Sequence, residues 1–434
     1  MNLVTSLKEI CSVCFCIAYS GCVSLSSLIH HVCVPTDQME DSPYTFRPDN
    51  ASLSSSVLSL CPTAATLFFL PSVYTLLFLT ALPGNALSLW VFLRRIATVS
   101  PIHVYLSHLS ISNLLLSLTA PFLAAYYARG SVWTQSYVPC QMVLHGVTPV
   151  LHINIYISII ILTWVALSRF AALIQHTHAS RPSGCTKLLP HSFFTRLTTT
   201  SFARRVCAAV WVVAVGGIVP VTVYYSVNEA VSANAVSKDG SVAVCYNSAV
   251  EIGGSLSMAF NVPVITLFFV FYLLVLLCYM TVLRHIRRSR HNTSVTNSQS
   301  LLGRVLRNIV VIQVVLSVCL LPYHIFKPIF ISLACDTQSP NNNNNNCHPL
   351  STFVEVKNCL LLLAALRGST DPLMYFLLDK TFRHQTRRLL RCNQNNPGSR
   401  EMCSVSGRDN LNAGKLEDGN VVMATVDSSQ GSIL

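Results

Sequence analysis

Charged side chains are scarce in this sequence. Asp, Glu, Lys and Arg together make up 11% of its 434 residues, whereas a soluble domain has about 25%. Hydrophobic residues reach 52%, and the mean hydropathy is +0.51. Acidic residues are scarcer than basic ones, 17 against 29, so the formal net charge is +12. Such a composition excludes an ordinary soluble domain and favours the lipid bilayer as the main surrounding.

Signatures of enzymes and transporters are also missing. The sequence has no His-Glu-x-x-His, no nucleophile elbow and no glycine-rich phosphate loop in a plausible context. Its two halves show no internal repeat of the kind found in many transporters. We therefore expect neither an enzyme nor a cofactor or metal site. The positive charge does not indicate a nucleic-acid partner, because the basic residues are grouped in short segments between apolar stretches, as the positive-inside rule describes.

Seven long apolar stretches are present instead, each reaching the ~20 residues that cross a bilayer. They predict an all-α fold, a bundle of seven transmembrane helices followed by a short amphipathic eighth helix over residues 380–391. Basic residues follow the first, third, fifth and seventh stretches, which places the amino terminus outside and the carboxyl terminus in the cytoplasm of a plasma-membrane protein. The predicted spans are 66–93, 102–127, 140–170, 205–227, 256–284, 305–334 and 352–378.

The two ends of the chain differ in character from the seven-helix domain, 66–391. Residues 1–33 fit a signal peptide, although an extended start or a weak eighth apolar segment would give the same pattern. Residues 34–65 form a predicted extracellular tail in which Asn50 opens an N-glycosylation sequence. Residues 392–434 are predicted to be a disordered cytoplasmic tail, and Cys392, just past the basic amphipathic segment, is a candidate palmitoylation site.

Short motifs within the spans point to one class of membrane protein. An aspartate and a proline deep in an apolar span are costly, so they are usually functional. The motifs are Gly84-Asn85, Trp211 with Pro220, Cys278-Tyr279, Cys319-Leu320-Leu321-Pro322-Tyr323-His324 and Asp371-Pro372-Leu373-Met374-Tyr375. Together they resemble the rhodopsin-like receptor class over about residues 65–392, and the Asp-Pro form of the last motif resembles its purinergic-like branch.

The resemblance implies a receptor that couples an unknown extracellular ligand to a heterotrimeric G protein by a pivot of the sixth helix at Pro322. It also implies a disulfide bond between Cys140 and Cys245. Cys61 is expected to form a second bond, with Cys335 and Cys347 as alternative partners. The alternative function is that of a scaffold or decoy receptor that has lost G-protein coupling.

Departures from the family pattern concern the coupling residues. Ser168-Arg169-Phe170 stands where the family has Asp-Arg-Tyr, and serine cannot form the ion pair that restrains the arginine there. Either the pattern has drifted with signalling retained, or basal activity is raised because a restraint is missing. Arg169 itself is kept, and Tyr279 and Tyr375 are expected to close over it in the active state. Leu320, in place of an aromatic residue, is compatible with the decoy hypothesis.

A second departure lies at mid-membrane. Asn113 occupies the position where the family has an aspartate that anchors a sodium ion, with a serine that corresponds here to Ser158. Arg367 stands four residues before Asp371, and positions i and i+4 share a helix face. We therefore expect Arg367 to pair with Asp371 and to fill the volume of the sodium ion. The alternative is that Arg367 reaches a polar cavity without a specific partner.

Cationic side chains in the outer half of the spans are candidate ligand contacts. In the family, the positions that match His324, Lys327 and Lys357 contact anionic groups of ligands, and His152 is expected to face the same cavity. Lysine is costly inside a bundle, so an anion would explain the two lysines. Alternatively, both lysines snorkel to the outer headgroups. A nucleotide, a lysophospholipid and a carboxylic metabolite would all satisfy two cations.

Overall fold

A computed structural model describes residues 60–131, 146–178, 191–224, 252, 255–290, 296–336 and 348–394. Several predictions concern residues outside these ranges: the signal peptide, glycosylation at Asn50, the disulfide bond of Cys140 with Cys245, and the carboxyl-terminal tail. Cys392 lies in the last described helix, but its side chain is outside the description, so palmitoylation stays a prediction. All regular secondary structure in the described ranges is helical.

In the described part of the chain, seven helices are long and apolar enough to cross a membrane, which agrees with the predicted seven-helix bundle. A short loop helix, His191–Leu197, precedes the fourth of them, and α8, Lys380–Gln394, follows the seventh. Most predicted boundaries agree to within about three residues, but the fourth span begins earlier than predicted and the fifth begins later. The predicted start of the third span and the predicted end of the fourth lie outside the described ranges. The spans are α1 Ala65–Arg95, α2 Pro101–Ala128, α3 Pro149–Leu173, α4 Thr200–Tyr224, α5 Asn261–Arg284, α6 Val305–Ala334 and α7 Ser351–Leu378.

The start of α2 shows how local sequence sets a helix boundary. Pro101 occupies the first helical turn, where its missing N–H costs nothing and its fixed φ suits the helix. The Ser100 hydroxyl accepts a bond from the His103 backbone N–H (3.5 Å), and the His103 Nδ1 accepts one from the Ser100 N–H (3.1 Å). The reciprocal bonds satisfy two of the free donors at the helix start. Thr199 caps α4 through its bond from the Phe202 N–H (3.4 Å).

Irregular helical geometry in α6 is concentrated beside its central proline. Residues Leu316–Leu320 form a π-helical turn, and Pro322 follows two residues later. Proline removes one backbone donor and clashes with the preceding turn, and such π-helical turns are common where helices bend or function. The predicted pivot therefore lies beside the one segment of α6 whose backbone departs from regular α-helix.

A close approach of α1 and α7 fixes the position of the seventh helix. A Cβ atom on Gly84 would lie 3.1 Å from the Pro372 Cγ, closer than most such contacts in proteins, so a larger residue would require Pro372 to move. Next to it, the Asn85 side chain donates to the Gly368 carbonyl (2.8 Å) and to the Ala81 carbonyl (2.9 Å). Asn85 thus binds the backbone of α7 directly above the turn that contains Pro372.

The segment before α1 is attached to the start of α7. The carboxylate of Glu355 accepts bonds from the Thr63 N–H (2.8 Å), the Thr63 hydroxyl (2.8 Å) and the Thr66 hydroxyl (2.6 Å). The Cys61 N–H donates to the Ser351 hydroxyl (3.4 Å), and Cys61 is disulfide-bonded. The side chains of both expected partners of Cys61 lie outside the described residues, so the choice between them stays a prediction. We call this end of the bundle the outer end.

We expect Gly84→Val to destabilise the protein by about 1–3 kcal/mol, the usual cost of inserting carbon atoms into a packed contact. The matched control is Gly217→Val in α4, because a Cβ atom on Gly217 meets nothing within 4 Å. Thermal unfolding of the purified protein should show a lower midpoint for the first variant only. Equal midpoints would mean that the α1–α7 contact is not as close as described.

Candidate functional site

The centre of the bundle contains a fully buried ion pair. Arg367 and Asp371, one turn apart on α7, both have side chains with 0% exposure, and the Arg367 Nη1 donates to the Asp371 Oδ2. The Arg367 Nη2 donates to the Asn113 Oδ1 of α2 and to the Asn154 Oδ1 of α3, each at 3.0 Å. One guanidinium therefore joins three transmembrane helices.

Asparagine side chains extend this network to a fourth helix. The Asn113 Nδ2 donates to the Asp371 Oδ2 (2.7 Å) and to the Asn85 Oδ1 of α1 (3.1 Å). The Asn154 Nδ2 donates to the Ser112 hydroxyl (3.0 Å) and to the Asn113 Oδ1 (3.1 Å). Asparagine can donate and accept at once, which lets two such side chains connect α1, α2, α3 and α7 at mid-membrane.

One predicted member of this cluster does not join it. Ser158 is fully buried, but its hydroxyl donates to the Asn154 backbone carbonyl one turn earlier in α3. This bond within its own helix satisfies the hydroxyl and leaves the contact with Arg367 to the Asn154 side chain. The sequence analysis did not single out Asn154. An isolated asparagine between apolar residues of a span was the signal that could have identified it.

Below the network, toward the carboxyl end of α7, Tyr375 is fully buried. Its hydroxyl accepts a bond from the Ser110 hydroxyl (3.3 Å), and its ring meets Phe92 edge-on with centroids 5.6 Å apart. Tyr375 therefore contacts α1 and α2 in this conformation. The other tyrosine that was expected near Arg169, Tyr279 on α5, is half-buried.

The arginine of the Ser168-Arg169-Phe170 sequence is bound to the end of α7. The Arg169 Nη2 donates to the Leu378 carbonyl (3.1 Å), and the Asn308 Nδ2 of α6 donates to the same oxygen (3.4 Å). Leu378 is the last residue of α7, where carbonyls lack helical partners and the helix dipole is negative. We call this arrangement the Leu378 clamp. It joins α3, α6 and α7 through a backbone atom that the sequence analysis had no means of identifying.

The neighbours of Arg169 have separate roles in packing. Ser168 is buried, with 4% exposure. Phe170 packs against the buried cluster formed by Ala171, Phe194 and Leu197, so it supports the short loop helix before α4.

Beside the Leu378 clamp, the His103 Nε2 lies 2.8 Å from the Asp379 Oδ2. Because the His103 Nδ1 accepts from the Ser100 N–H, the Nε2 carries the hydrogen and donates to Asp379, joining the start of α2 to the end of α7.

Toward the outer end, two predicted ligand contacts on α6 are deeply buried. His324 has 0% exposure, its Nδ1 lies 2.8 Å from the Leu320 carbonyl, and its ring stacks on Phe268 of α5 with centroids 3.6 Å apart. Lys327, one turn further, has 6% exposure, and its Nζ lies 5.3 Å from the centre of the Tyr323 ring. Neither the His324 Nε2 nor the Lys327 Nζ has a hydrogen-bond partner among the described residues.

The other two predicted ligand contacts are less deeply buried. Lys357 of α7 is half-buried, its Nζ lies 5.1 Å from the centre of the Phe330 ring, and it interacts electrostatically with Lys327. His152 is half-buried on α3. We call His324, Lys327 and Lys357 the outer cationic cluster. Glu355 is two residues from Lys357, but its carboxylate binds Thr63 and Thr66.

Comparison with known proteins gives one family and several relatives. Residues 84–375 match the family "7 transmembrane receptor (rhodopsin family)". The human "Probable G-protein coupled receptor 82" is 35% identical over 332 residues, 76% of this chain and 94% of its own. A purinoceptor of the turkey (Meleagris gallopavo) is 26% identical over 79% of this chain and 84% of its own. The rat "Uracil nucleotide/cysteinyl leukotriene receptor" is 26% identical over 79% and 88%.

We expect Asn154→Ala to lower the stability of the protein by about 1–3 kcal/mol, because it removes a hydrogen bond to a charged group and leaves buried polar partners unsatisfied. The matched control is Ser158→Ala, one turn away on α3 and equally buried, which removes only a bond within its own helix. The measurement is thermal unfolding in lipid nanodiscs. If Ser158→Ala lost more stability than Asn154→Ala, then Asn154 would not be the α3 side chain that supports the network.

Proposed function

The chain belongs to the rhodopsin family of seven-transmembrane receptors, within its purinergic-like branch, and from this premise we propose that it couples an extracellular anionic ligand to heterotrimeric G proteins. The protein is a multi-pass membrane protein rather than an enzyme. In the proposed orientation the outer end of the bundle faces the extracellular side of the plasma membrane, and the Leu378 clamp faces the cytoplasm.

The observation that carries this proposal is the buried ammonium group of Lys327. A charged amine removed from water is strongly unfavourable unless an opposite charge or a hydrogen-bond acceptor compensates for it. Its burial argues against snorkelling, which would place the Nζ among headgroups at the membrane surface. Among the described acids, Glu355 is engaged with Thr63 and Thr66, and Asp371 with Arg367. An acidic group of a ligand would supply the missing partner.

The relatives support the same class of ligand. One is named for uracil nucleotides and cysteinyl leukotrienes, which are both anions, and another is named a purinoceptor. The aromatic rings beside the two lysines, Tyr323 and Phe330, suit a ligand that also carries a planar or apolar part. A nucleotide, a lysophospholipid or a carboxylic metabolite each combines these features.

A ligand at this cluster has a short physical route to the helix pivot. Lys327 lies one turn beyond His324. The His324 ring stacks on Phe268, and its Nδ1 is within hydrogen-bond distance of the Leu320 carbonyl. Leu320 ends the π-helical turn just before Pro322. Anion binding therefore acts on the segment of α6 that can bend, and it shifts a pre-existing equilibrium between two arrangements of the helix.

The Leu378 clamp is proposed to restrain Arg169 in the inactive state. Serine replaces the family's usual acid at position 168, and Arg169 donates to a neutral carbonyl oxygen that also accepts a bond from Asn308. A hydrogen bond between a charged and a neutral group is worth less than one between two charged groups. Outward movement of α6 would remove Asn308 from this oxygen and free Arg169 for the carboxyl-terminal helix of a G protein.

We expect raised basal signalling, because Ser168 cannot supply the carboxylate that restrains this arginine in the family. Ser168→Asp should lower basal G-protein activation by adding a carboxylate beside Arg169, Asn308→Ala should raise it, and Arg169→Ala should abolish it. The measurement is a panel of G-protein dissociation sensors in cells with matched surface expression. Thr75→Ala on α1, whose exposed side chain donates to the Pro71 carbonyl of its own helix, is the control that leaves both the clamp and the π-helical turn of α6 intact.

If the wild type and all variants equal untransfected cells, and no ligand of the panel below activates the wild type, the coupling proposal is wrong and a scaffold or decoy receptor is indicated. If Ser168→Asp raises the basal signal, the proposed restraint by Leu378 is wrong although coupling stands.

A ligand screen with nucleotides, lysophospholipids and carboxylic acids tests the anionic pocket. For any activating compound, Lys327→Ala should reduce potency at least about tenfold, because a charge-assisted hydrogen bond contributes about 1.5–3 kcal/mol and 1.4 kcal/mol is tenfold. Lys357→Ala should reduce potency in the same direction, and Lys327→Arg, which keeps the charge, should retain most of it. Unchanged potency of both alanine variants would exclude the cluster as the ligand site.

A further inference from the structure

The oxygen of the Leu378 clamp belongs to the peptide group between Leu378 and Asp379. The carbonyl of this group accepts bonds from Arg169 (3.1 Å) and from Asn308 (3.4 Å), and its N–H donates to the Tyr375 carbonyl (2.9 Å). A trans peptide group is planar, so its C=O and N–H point in opposite directions. The direction of the clamp oxygen is therefore set by the positions of the two residues that flank this peptide bond.

Asp379, the second of these residues, is held in place from α2. Its backbone leaves α7 in an extended conformation, with φ −125° and ψ 118°. Its carboxylate is buried, with 7% side-chain exposure, and its Oδ2 accepts a bond from the His103 Nε2 (2.8 Å). This contact with another helix fixes Asp379 at the point where α7 no longer defines the direction of the chain.

The two ring nitrogens of His103 have separate partners. The Nδ1 accepts a bond from the Ser100 N–H (3.1 Å), so the hydrogen of a neutral imidazole is on the Nε2 and is donated to Asp379. The ring also lies beside Phe92, with centroids 6.1 Å apart, and 6% of the residue is exposed. The imidazole is thus a rigid link from the first turn of α2 to the end of α7.

We infer that His103 is a positioning residue for the Leu378 clamp, because by holding Asp379 it directs the Leu378 carbonyl toward Arg169. The geometric part of this inference rests on the contacts alone. Its consequence for signalling rests on the proposed function, in which the bond between Arg169 and Leu378 belongs to the inactive state. Loss of the bond between His103 and Asp379 would let the carbonyl turn, and it would weaken the restraint without removing any atom of the clamp.

Two substitutions of His103 separate the roles of its two nitrogens. Asparagine has a polar atom near the position of Nδ1, so His103→Asn can still accept from the Ser100 N–H but is too short to reach Asp379. Glutamine extends to the position of Nε2, so His103→Gln can still donate to Asp379. The control is Ser100→Ala, which removes the hydroxyl that caps α2 and leaves the contact with Asp379 in place. If His103→Asn does not reach the cell surface, His103→Leu, which has neither nitrogen, replaces it.

The first measurement is basal G-protein activation at matched surface expression. His103→Asn should raise the signal about two- to tenfold, because the loss of one hydrogen bond of average strength shifts a two-state equilibrium by this factor. His103→Gln should keep most of the restraint, and Ser100→Ala should signal as the wild type does. When Asn308→Ala raises the signal, as the proposed restraint requires, equal signals of His103→Asn and His103→Gln would overturn the inference.

The second measurement does not involve a G protein. Thermal unfolding of the purified full chain in lipid nanodiscs gives the cost of Arg169→Ala in each of the two His103 variants. The midpoint should fall by about 2 °C less in His103→Asn than in His103→Gln, because the bond of Arg169 to Leu378 is already weakened in the former. Equal losses would overturn the inference. If Asn308→Ala leaves the basal signal unchanged, the proposed restraint is wrong, and these midpoints alone decide whether His103 positions Leu378.

Discussion

The buried pair of Arg367 and Asp371 is the interaction on which the centre of the bundle depends. Each charge is tolerable at mid-membrane only because the other is present, and removing either partner of such a pair costs about 3–5 kcal/mol. The pair also sets the positions of its neighbours, because Asn113 and Asn154 must lie where their oxygens can meet one guanidinium. Three helices are therefore held in register by a single side chain of α7.

α7 contributes to all three levels of the bundle that carry polar contacts. α7 carries Lys357 at the outer end, the ion pair in the middle and the Leu378 carbonyl at the inner end. Because its middle is fixed by charged hydrogen bonds and by the close contact of Gly84 with Pro372, α7 is a poor candidate for a moving part. Among the described residues, α6 forms fewer hydrogen bonds to other helices than α7 does. Its π-helical turn, next to Pro322, is the place where it can bend.

The sequence was sufficient for the parts of this structure that follow from composition and spacing. Apolar length defined the spans, and the interval of four residues brought Arg367 onto the same face as Asp371. Two features could not be predicted from it. The first is that Asn154, and not Ser158, extends from α3 to Arg367, which depends on the length and direction of the two side chains. The second is the Leu378 clamp, because its acceptor is a backbone carbonyl, and every residue has one.

Counting buried charges shows why the outer cationic cluster differs from the centre of the bundle. At Arg367 the cation is matched by a carboxylate of the same helix, so the protein itself provides the neutral state. At Lys327 the acids whose side chains are described are already engaged, and Lys357 adds an unfavourable electrostatic interaction between two cations. Among the described residues, the acid at mid-membrane is used for structure, and no hydrogen-bond partner is found for the Lys327 Nζ. A buried cation without a partner among the described residues favours an anion over a neutral ligand, because a neutral ligand would leave the cost of burying Lys327 in place.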